Sequence, residues 1–209
     1  MQALAAPLRL QAEHIYGQVE GFALRGVDTA RAELAPLLLA FGIDALVSGR
    51  HVRVLGRRNR PRKDIPADDV LLNPNGRSSL TRSITAPEDR PRRFDLHFID
   101  ANGDYGASHV SARYEAGDRP IARLDLPVAI GQAQARSLAQ HLLNAALSET
   151  EILSMRLPPS YMALEPGDII GFDGVDWRLT EVTLGAVVEL TARRFQAHLF
   201  SGAVAAEDD

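Results

Sequence analysis

Apolar residues recur at three- and four-residue steps in some stretches of this chain and at two-residue steps in others. Leu34, Leu37, Leu38 and Phe41 follow the helical spacing. Asp28 stands where an N-cap is expected and Gly42 where the helix should stop. Pro36 removes a backbone donor and predicts a kink near residue 33. The strongest helical stripe is Ala135, Leu138, Ala139, Leu142, Leu143 and Ala146, with Gln132, Arg136, Gln140 and Asn144 on the opposite side. It predicts a helix over 132–148. Leu8, Ala12, Ile15 and Tyr16, between Pro7 and Gly17, predict a shorter helix over 7–16.

Alternation predicts strands over 43–47 and 51–55, joined by a Ser48-Gly49-Arg50 turn. A short strand over 19–25 is expected before them. The runs 92–99 and 107–115 read as a hairpin. Pairing about Gly103 sets Phe94 opposite Ala112, Leu96 opposite Val110 and Phe98 opposite Ser108 on one face. It sets Asp95 opposite Ser111 and His97 opposite His109 on the other. Both strands alternate consistently in this register, which a one-residue slip would destroy. Further strands are expected over 122–126, 152–157, 168–172, 176–182 and 186–193. Pro127 and Gly131 are expected to end the first of these. The last nine residues read as a frayed tail.

Together these elements predict an α+β fold. Residues 1–72 read as a small α/β unit built on a helix and a hairpin. Residues 73–91 read as a linker or arm within a stretch rich in Arg, Asn, Pro, Gly and Ser, with a helical turn or strand over 64–72. Residues 92–209 read as a mainly antiparallel sheet or small barrel with one long packed helix.

The 209 residues are 45% hydrophobic and 24% charged, a composition that excludes a collagen-like or disordered chain. No apolar run approaches a membrane span, and the start does not read as a signal peptide. There is no cysteine, which excludes disulfides, thiolate metal sites and cysteine nucleophiles.

Charge changes the picture more. Residues 1–93 hold 15 Lys and Arg against 10 Asp and Glu, while residues 94–209 hold 8 against 17. The first part is thus at +5 and the second at −9. The steepest stretch is 50–63, seven basic residues and no acid. Such a run meets solvent, phosphate or an acidic partner surface. Nucleic acid is disfavoured, because no aromatic residue interleaves the arginines as a stacking platform. As a protein interface its residues would be Arg53, Arg57, Arg58, Arg60, Arg62 and Lys63.

Candidate chemistry is sparse. Ser160 lies in PPSYM, without the glycines of a nucleophile elbow. No phosphate-binding loop or dinucleotide fingerprint occurs. His97 and His109, near Asp95, could meet a zinc ion if their geometry converged, but they equally suit a solvated sheet face. Asp100, Asn102 and Asp104 begin like a calcium loop, yet Tyr105 replaces the required glycine and Ser111 the closing glutamate. A hairpin turn at Asn102-Gly103 accounts for that segment better. Glu149, Glu151, Asp173 and Asp176 read as solvated carboxylates, and Trp177 as packed on the sheet. No cofactor or metal is expected, and no catalytic residue is assigned.

Several phrases in order carry a resemblance. They are RFDLHFIDANGDYGASHVSARY, the helix opening GQAQARSLAQHLL, and MRLPPSYMALEPGDIIGFDGVDWRLTEV. With VEGFALRGVDTARAELAPLLLAFGIDALVSGRHVRVLGR before them and Asp68-Asp69 after it, they resemble the Putative phage tail protein family over about residues 10–195. The likeness is to the baseplate-hub region of the large host-specificity, or tail tip, protein of tailed phages and gene transfer agents. Pro166-Gly167-Asp168 matches the turn that opens a hub strand in that family, and Asp104-Tyr105 the family's Asp-Tyr after an alternating strand. These are fold-forming positions, so the resemblance implies architecture and an assembly role, not catalysis.

It further implies a virion or particle component at the tail tip, assembled in the host cytoplasm. Its partners would be copies of itself in a trimeric ring, the distal tail tube and other tail tip proteins, with no membrane anchor. Family members usually run to many hundreds of residues, so the chain corresponds to a segment or a reduced homologue. The competing expectations are a carbohydrate-active or metal-dependent hydrolase domain, and a nucleic-acid-binding module acting through residues 50–63.

Overall fold

The structure is a computed structural model that describes residues 9–13, 18–23, 29–48, 51–57, 60–114 and 120–200. These described residues form an α+β arrangement of three mixed, mainly antiparallel sheets and two α-helices.

Local signals explain the first helix, α1 (Ala30–Ala40). Asp28 lies outside the described residues, and Thr29 is the cap, its Oγ1 accepting the Ala32 N–H at 3.4 Å. The helix ends at Phe41 and Gly42, as expected. Next come β3 (Ile43–Ser48) and β4 (His51–Gly56), antiparallel with Ser48 opposite His51. Gly49 and Arg50 of the expected turn lie outside the described residues.

The helix expected over 7–16 is not what forms. Arg9–Glu13 is a strand, β1, running parallel to β4 and completing a three-stranded sheet in the order β1-β4-β3. Residues 7, 8 and 14–17 lie outside the described residues. A helix of that length gains little alone, whereas the open edge of β4 offers partners to the backbone groups of β1 that face it.

The second sheet has the order β2-β9-β7-β8, with β2 (Gly21–Phe22), β7 (Arg93–Asp100), β8 (Ala107–Arg113) and β9 (Ile121–Ile130). The β7–β8 register is the expected one, with Phe94 on Ala112, Leu96 on Val110 and His97 on His109. Two features differ from expectation. Strand β9 lies parallel to β7, and it continues through Pro127 to Ile130. The ladder shifts register between His97 and Ile99, so the residue without an N–H falls at an irregularity.

The β7–β8 reversal is wider than an Asn102-Gly103 turn. It spans residues 101–106 and places Asp104 and Tyr105 at φ 55° and 54°. The buried Asp100 carboxylate sets this path by accepting the Asn102 N–H and the Gln132 side-chain amide, each at 3.0 Å. The loop is thereby tied to the first residue of α2 (Gln132–Ser148). Helix α2 occupies the predicted span and buries Ala135, Leu138, Ala139, Leu142 and Leu143 against the sheet. Gln132, Arg136, Gln140 and Asn144 face outward, as their spacing requires. Each fully buried leucine contributes about 1.5–3 kcal/mol.

The third sheet has six strands in the order β5-β11-β12-β13-β10-β6. They are β5 (Arg62–Asp64), β6 (Thr81–Ile84), β10 (Glu151–Leu157), β11 (Ile169–Phe172), β12 (Val175–Leu184) and β13 (Val188–Arg194). All neighbours are antiparallel except β5 and β11. Asp173 and Gly174, at φ 51° and 70°, make the two-residue turn between β11 and β12, where a left-handed backbone is required. Residues 67–69 form a 3-10 turn, and residues 73–91 contain β6 and another such turn at Pro87–Asp89. Among the described residues no sheet closes into a barrel, so of the two expected forms the open sheet is the one present.

One core lies between α1, α2 and the four-stranded sheet, and a second on the six-stranded sheet around Trp177, Leu179 and Leu190. Ile169 and Phe195 form a third, small cluster with Ala145 of α2 and Leu199, where the six-stranded sheet meets that helix. Among the described residues no helix is long and apolar enough to cross a membrane.

Candidate functional site

The most unusual chemistry in the molecule is a cluster of ion pairs where the first and third sheets meet the end of α2. Asp44 on β3 accepts Arg57 Nε at 3.1 Å and Arg178 Nη1 at 3.3 Å through the same oxygen, Oδ1. Its other oxygen lies 4.0 Å from Arg60. Arg178, on β12 and 7% exposed, reaches Glu149 at the end of α2 with its second terminal nitrogen, at 3.5 Å. Burial pushes the Arg178 guanidinium below its ordinary value, and the Arg57 charge adds to this, while Asp44 and Glu149 oppose both. Arg178 stays charged because an arginine begins far above neutral pH.

The remaining described residues of the basic stretch follow the same logic. Arg53 binds Glu165 at 2.7 Å. Arg60, its side chain 8% exposed, donates to the Gly167 carbonyl and lies 3.9 Å from Asp168. Gly167 has φ +87°, and a Cβ there would meet Arg60 Nη1 at 2.6 Å, so this approach needs a glycine. Arg62 pairs with Asp64 at 2.7 Å and Asp176 at 2.8 Å. Lys63 sits over the Tyr161 ring, 4.6 Å from its centre. Arg58 lies outside the described residues. The basic early stretch and the acidic later part therefore meet inside one molecule. Charge asymmetry was legible in the sequence, but the pairing of Arg53 with Glu165 and of Arg60 with Gly167, each more than 100 residues away, was not.

A second cluster stands behind β6. Glu151, 7% exposed, accepts Arg82 Nε at 2.7 Å and Arg194 Nη1 at 2.5 Å. Burial alone would raise the Glu151 carboxyl, but the two guanidinium hydrogen bonds and charges outweigh it and hold the group below its ordinary value. Arg82 also covers the Trp177 ring, 5.4 Å from its centre. Trp177 is 1% exposed and donates its indole N–H to the Phe172 carbonyl, so it is a core residue and no ligand platform.

The other candidates do not converge. The His97 and His109 rings stack at 5.6 Å between centres. Asp95 is instead taken by Ser111 Oγ at 2.6 Å and Arg93 at 2.7 Å. Desolvation raises the Asp95 carboxyl, and these partners together bring it below its ordinary value. Among the described residues no group of three His, Asp or Glu could hold a metal ion. Ser160 lies in a 3-10 turn, Pro159–Tyr161. The neighbouring Tyr161 hydroxyl donates to Asp69 at 2.5 Å, which with burial raises its pKa to about 12. A cavity of about 360 Å³ beside the first cluster is lined by Arg57, Arg90, His141, Glu149 and Arg193, among others. Of its two carboxylates, Glu149 already serves Arg178 and Asp89 belongs to the 3-10 turn Pro87–Asp89. The geometry is that of a braced scaffold.

Residues 29–182 match the family model described as "Putative phage tail protein". No curated protein matches the chain. Among solved structures it is similar to a chain in the virion of a native gene transfer agent particle, with TM-score 0.79 and 26% identity over 92% of this chain and 45% of that one. It shares its fold with the tail protein from Neisseria meningitidis MC58 (TM-score 0.61, 13% identity, 94% of this chain and 64% of that one). The prophage MuSo2 43 kDa tail protein from Shewanella oneidensis gives TM-score 0.56 and 9% identity over 93% and 63%. The chain thus spans less than two thirds of the length of each.

Proposed function

Because the chain belongs to the Putative phage tail protein family, we propose that it is a structural component of a phage or gene-transfer-agent tail, acting in the baseplate hub at the tail tip. The observation that carries this reading is the likeness to a chain of the gene transfer agent virion over nearly the whole molecule. One property supports it. Buried ion pairs join the first and third sheets to the end of α2, which packs on the second sheet, as a load-transmitting part requires.

In this role the chain joins the tail tube to distal parts that recognise or penetrate the host. It would do so as copies in a closed ring, a trimer in the expected case, whose contacts are heterologous. Arg62 and Lys63, on the outer strand β5, are the part of the basic stretch that would face a neighbouring subunit. Arg57 and Arg60 serve the fold. The test is a cryo-EM map of tails that contain this chain. Density for it at the tip, with ring symmetry, is the expected result. Density elsewhere in the particle, or tails of normal form and infectivity without it, would overturn the proposal.

A further inference from the structure

We propose that the outer edge of β6, with the groove beside it, receives an extended acidic strand from another protein chain. The inference stands on the edge and groove alone and does not depend on the tail reading.

Strand β6 ends the six-stranded sheet, and all four of its residues are exposed. The Thr85 N–H donates to the Thr150 carbonyl, and Ile84 lies opposite Glu151. In an antiparallel ladder hydrogen-bonded pairs alternate, so Thr81 and Ser83 bond to β10 while the backbone groups of Arg82 and Ile84 point away. Proteins usually guard such an edge with charge or proline. Here the only charged residue of β6, Arg82, keeps its side chain 40% exposed, but its guanidinium is held by Glu151 and lies over the Trp177 ring. Ile84 stands 61% exposed in its place. The opposite edge, β5, is Arg62, Lys63 and Asp64 and is guarded.

Ile84 also lines a groove of about 570 Å³ between β6, α2 and the end of β8. Tyr114, 59% exposed, and the apolar Leu147 and Leu199 line it too. Its charged lining is Arg90, Arg194 and Glu151. Arg82 and Arg194 hold the buried Glu151 carboxylate and Arg90 donates to the Thr85 carbonyl, so three guanidinium charges stand against one carboxylate, an excess of positive charge that complements an acidic side chain. Backbone addition to β6, an apolar side chain beside Ile84 and Tyr114, and a carboxylate toward Arg90 and Arg194 describe one ligand. It is a strand alternating apolar and acidic residues, bound by β-augmentation.

The test uses the full chain and two fluorescent peptides of about nine residues. Both alternate valine and threonine, and they differ only in carrying glutamate or lysine at the same two positions. Fluorescence anisotropy is expected to give saturable binding of the glutamate peptide, about tenfold tighter than the lysine peptide. Ile84→Lys places a charge on the edge, and Ile84→Pro removes an outward N–H without touching the β10 ladder. Each should weaken binding about tenfold while the circular dichroism and urea midpoint stay unchanged. No binding up to about 1 mM, equal binding of both peptides, or undiminished binding by both variants would overturn the assignment. Sedimentation supplies a further outcome. Self-association lost in Ile84→Lys would give the edge to a second copy and likewise overturn it.

Discussion

Arg178 on β12 reaches Asp44 on β3 at 3.3 Å across 134 residues of chain. The two strands belong to different sheets, so this pair and its extension to Glu149 fix how three parts of the molecule sit together. Breaking a buried pair from one side leaves a carboxylate uncompensated, which costs about 3–5 kcal/mol. Arg178→Ala should therefore lower stability by about 3 kcal/mol in urea denaturation. The double variant Arg178→Met with Glu149→Gln should lose clearly less, because it strands no charge at Glu149 and Arg57 still serves Asp44. Equal losses would mean that packing, not charge, holds the junction.

Glu151 gives the fold an acid-sensitive brace. Its folded pKa lies below the ordinary 4.5, so its contribution is fully present above that value. The contribution is lost as pH falls through the lowered folded value. Glu151→Gln keeps the shape and removes the titration. The variant should be less stable than wild type at pH 7, and the difference should shrink below about pH 4. Chemical denaturation at a series of pH values measures it. A constant difference across the acid range would rule out the linkage.

Tyr161 titrates in the opposite direction. Its folded pKa of about 12 lies above the ordinary 10.0, so the Tyr161–Asp69 hydrogen bond contributes fully below pH 10 and is lost between the two values. Tyr161→Phe should cost about 1.5–3 kcal/mol at neutral pH, as expected for a hydrogen bond to a charged acceptor. It should also remove the corresponding part of the alkaline loss of stability. Ultraviolet titration of the wild type should find a tyrosine ionisation well above pH 10 that Tyr161→Phe lacks.

What the sequence revealed follows from the range of each interaction. Both strands of the β7–β8 hairpin alternate, and only one register keeps Phe94, Leu96 and Phe98 on the side of Ala112 and Val110. Helix α2 carries an unbroken stripe and no competing pattern. Arg9–Glu13 misled because sparse apolar residues fit a helix, while the edge of β4 that makes it a strand lies some 40 residues on. Parallel pairing of β7 and β9 was equally hidden, since alternation does not report direction. Asp44, Glu149 and Arg178 look like ordinary surface charges in their own segments. Only the folded chain makes them a junction.

The tip of the β7–β8 hairpin allows a sharper test of backbone strain. Asp104 and Tyr105 are consecutive non-glycine residues in the left-handed region, at φ 55° and 54°. For an L-residue that conformation costs about 1–2 kcal/mol, with aspartate the better tolerated of the two. Tyr105 is 63% exposed, so its removal sacrifices little burial. Glycine relieves the strain but gives the unfolded chain more freedom, which returns about 0.5–1 kcal/mol. Tyr105→Gly should therefore be more stable than wild type by about 0.5–1 kcal/mol, and Tyr105→Ala should change little. Asp100→Ala should do the reverse of Tyr105→Gly. It removes the acceptor that holds Asn102 and Gln132, so the loop loses the contacts that enforce its path. Urea midpoints of the three variants decide the matter. A Tyr105→Gly protein less stable than Tyr105→Ala would show that the left-handed turn is not what limits this loop.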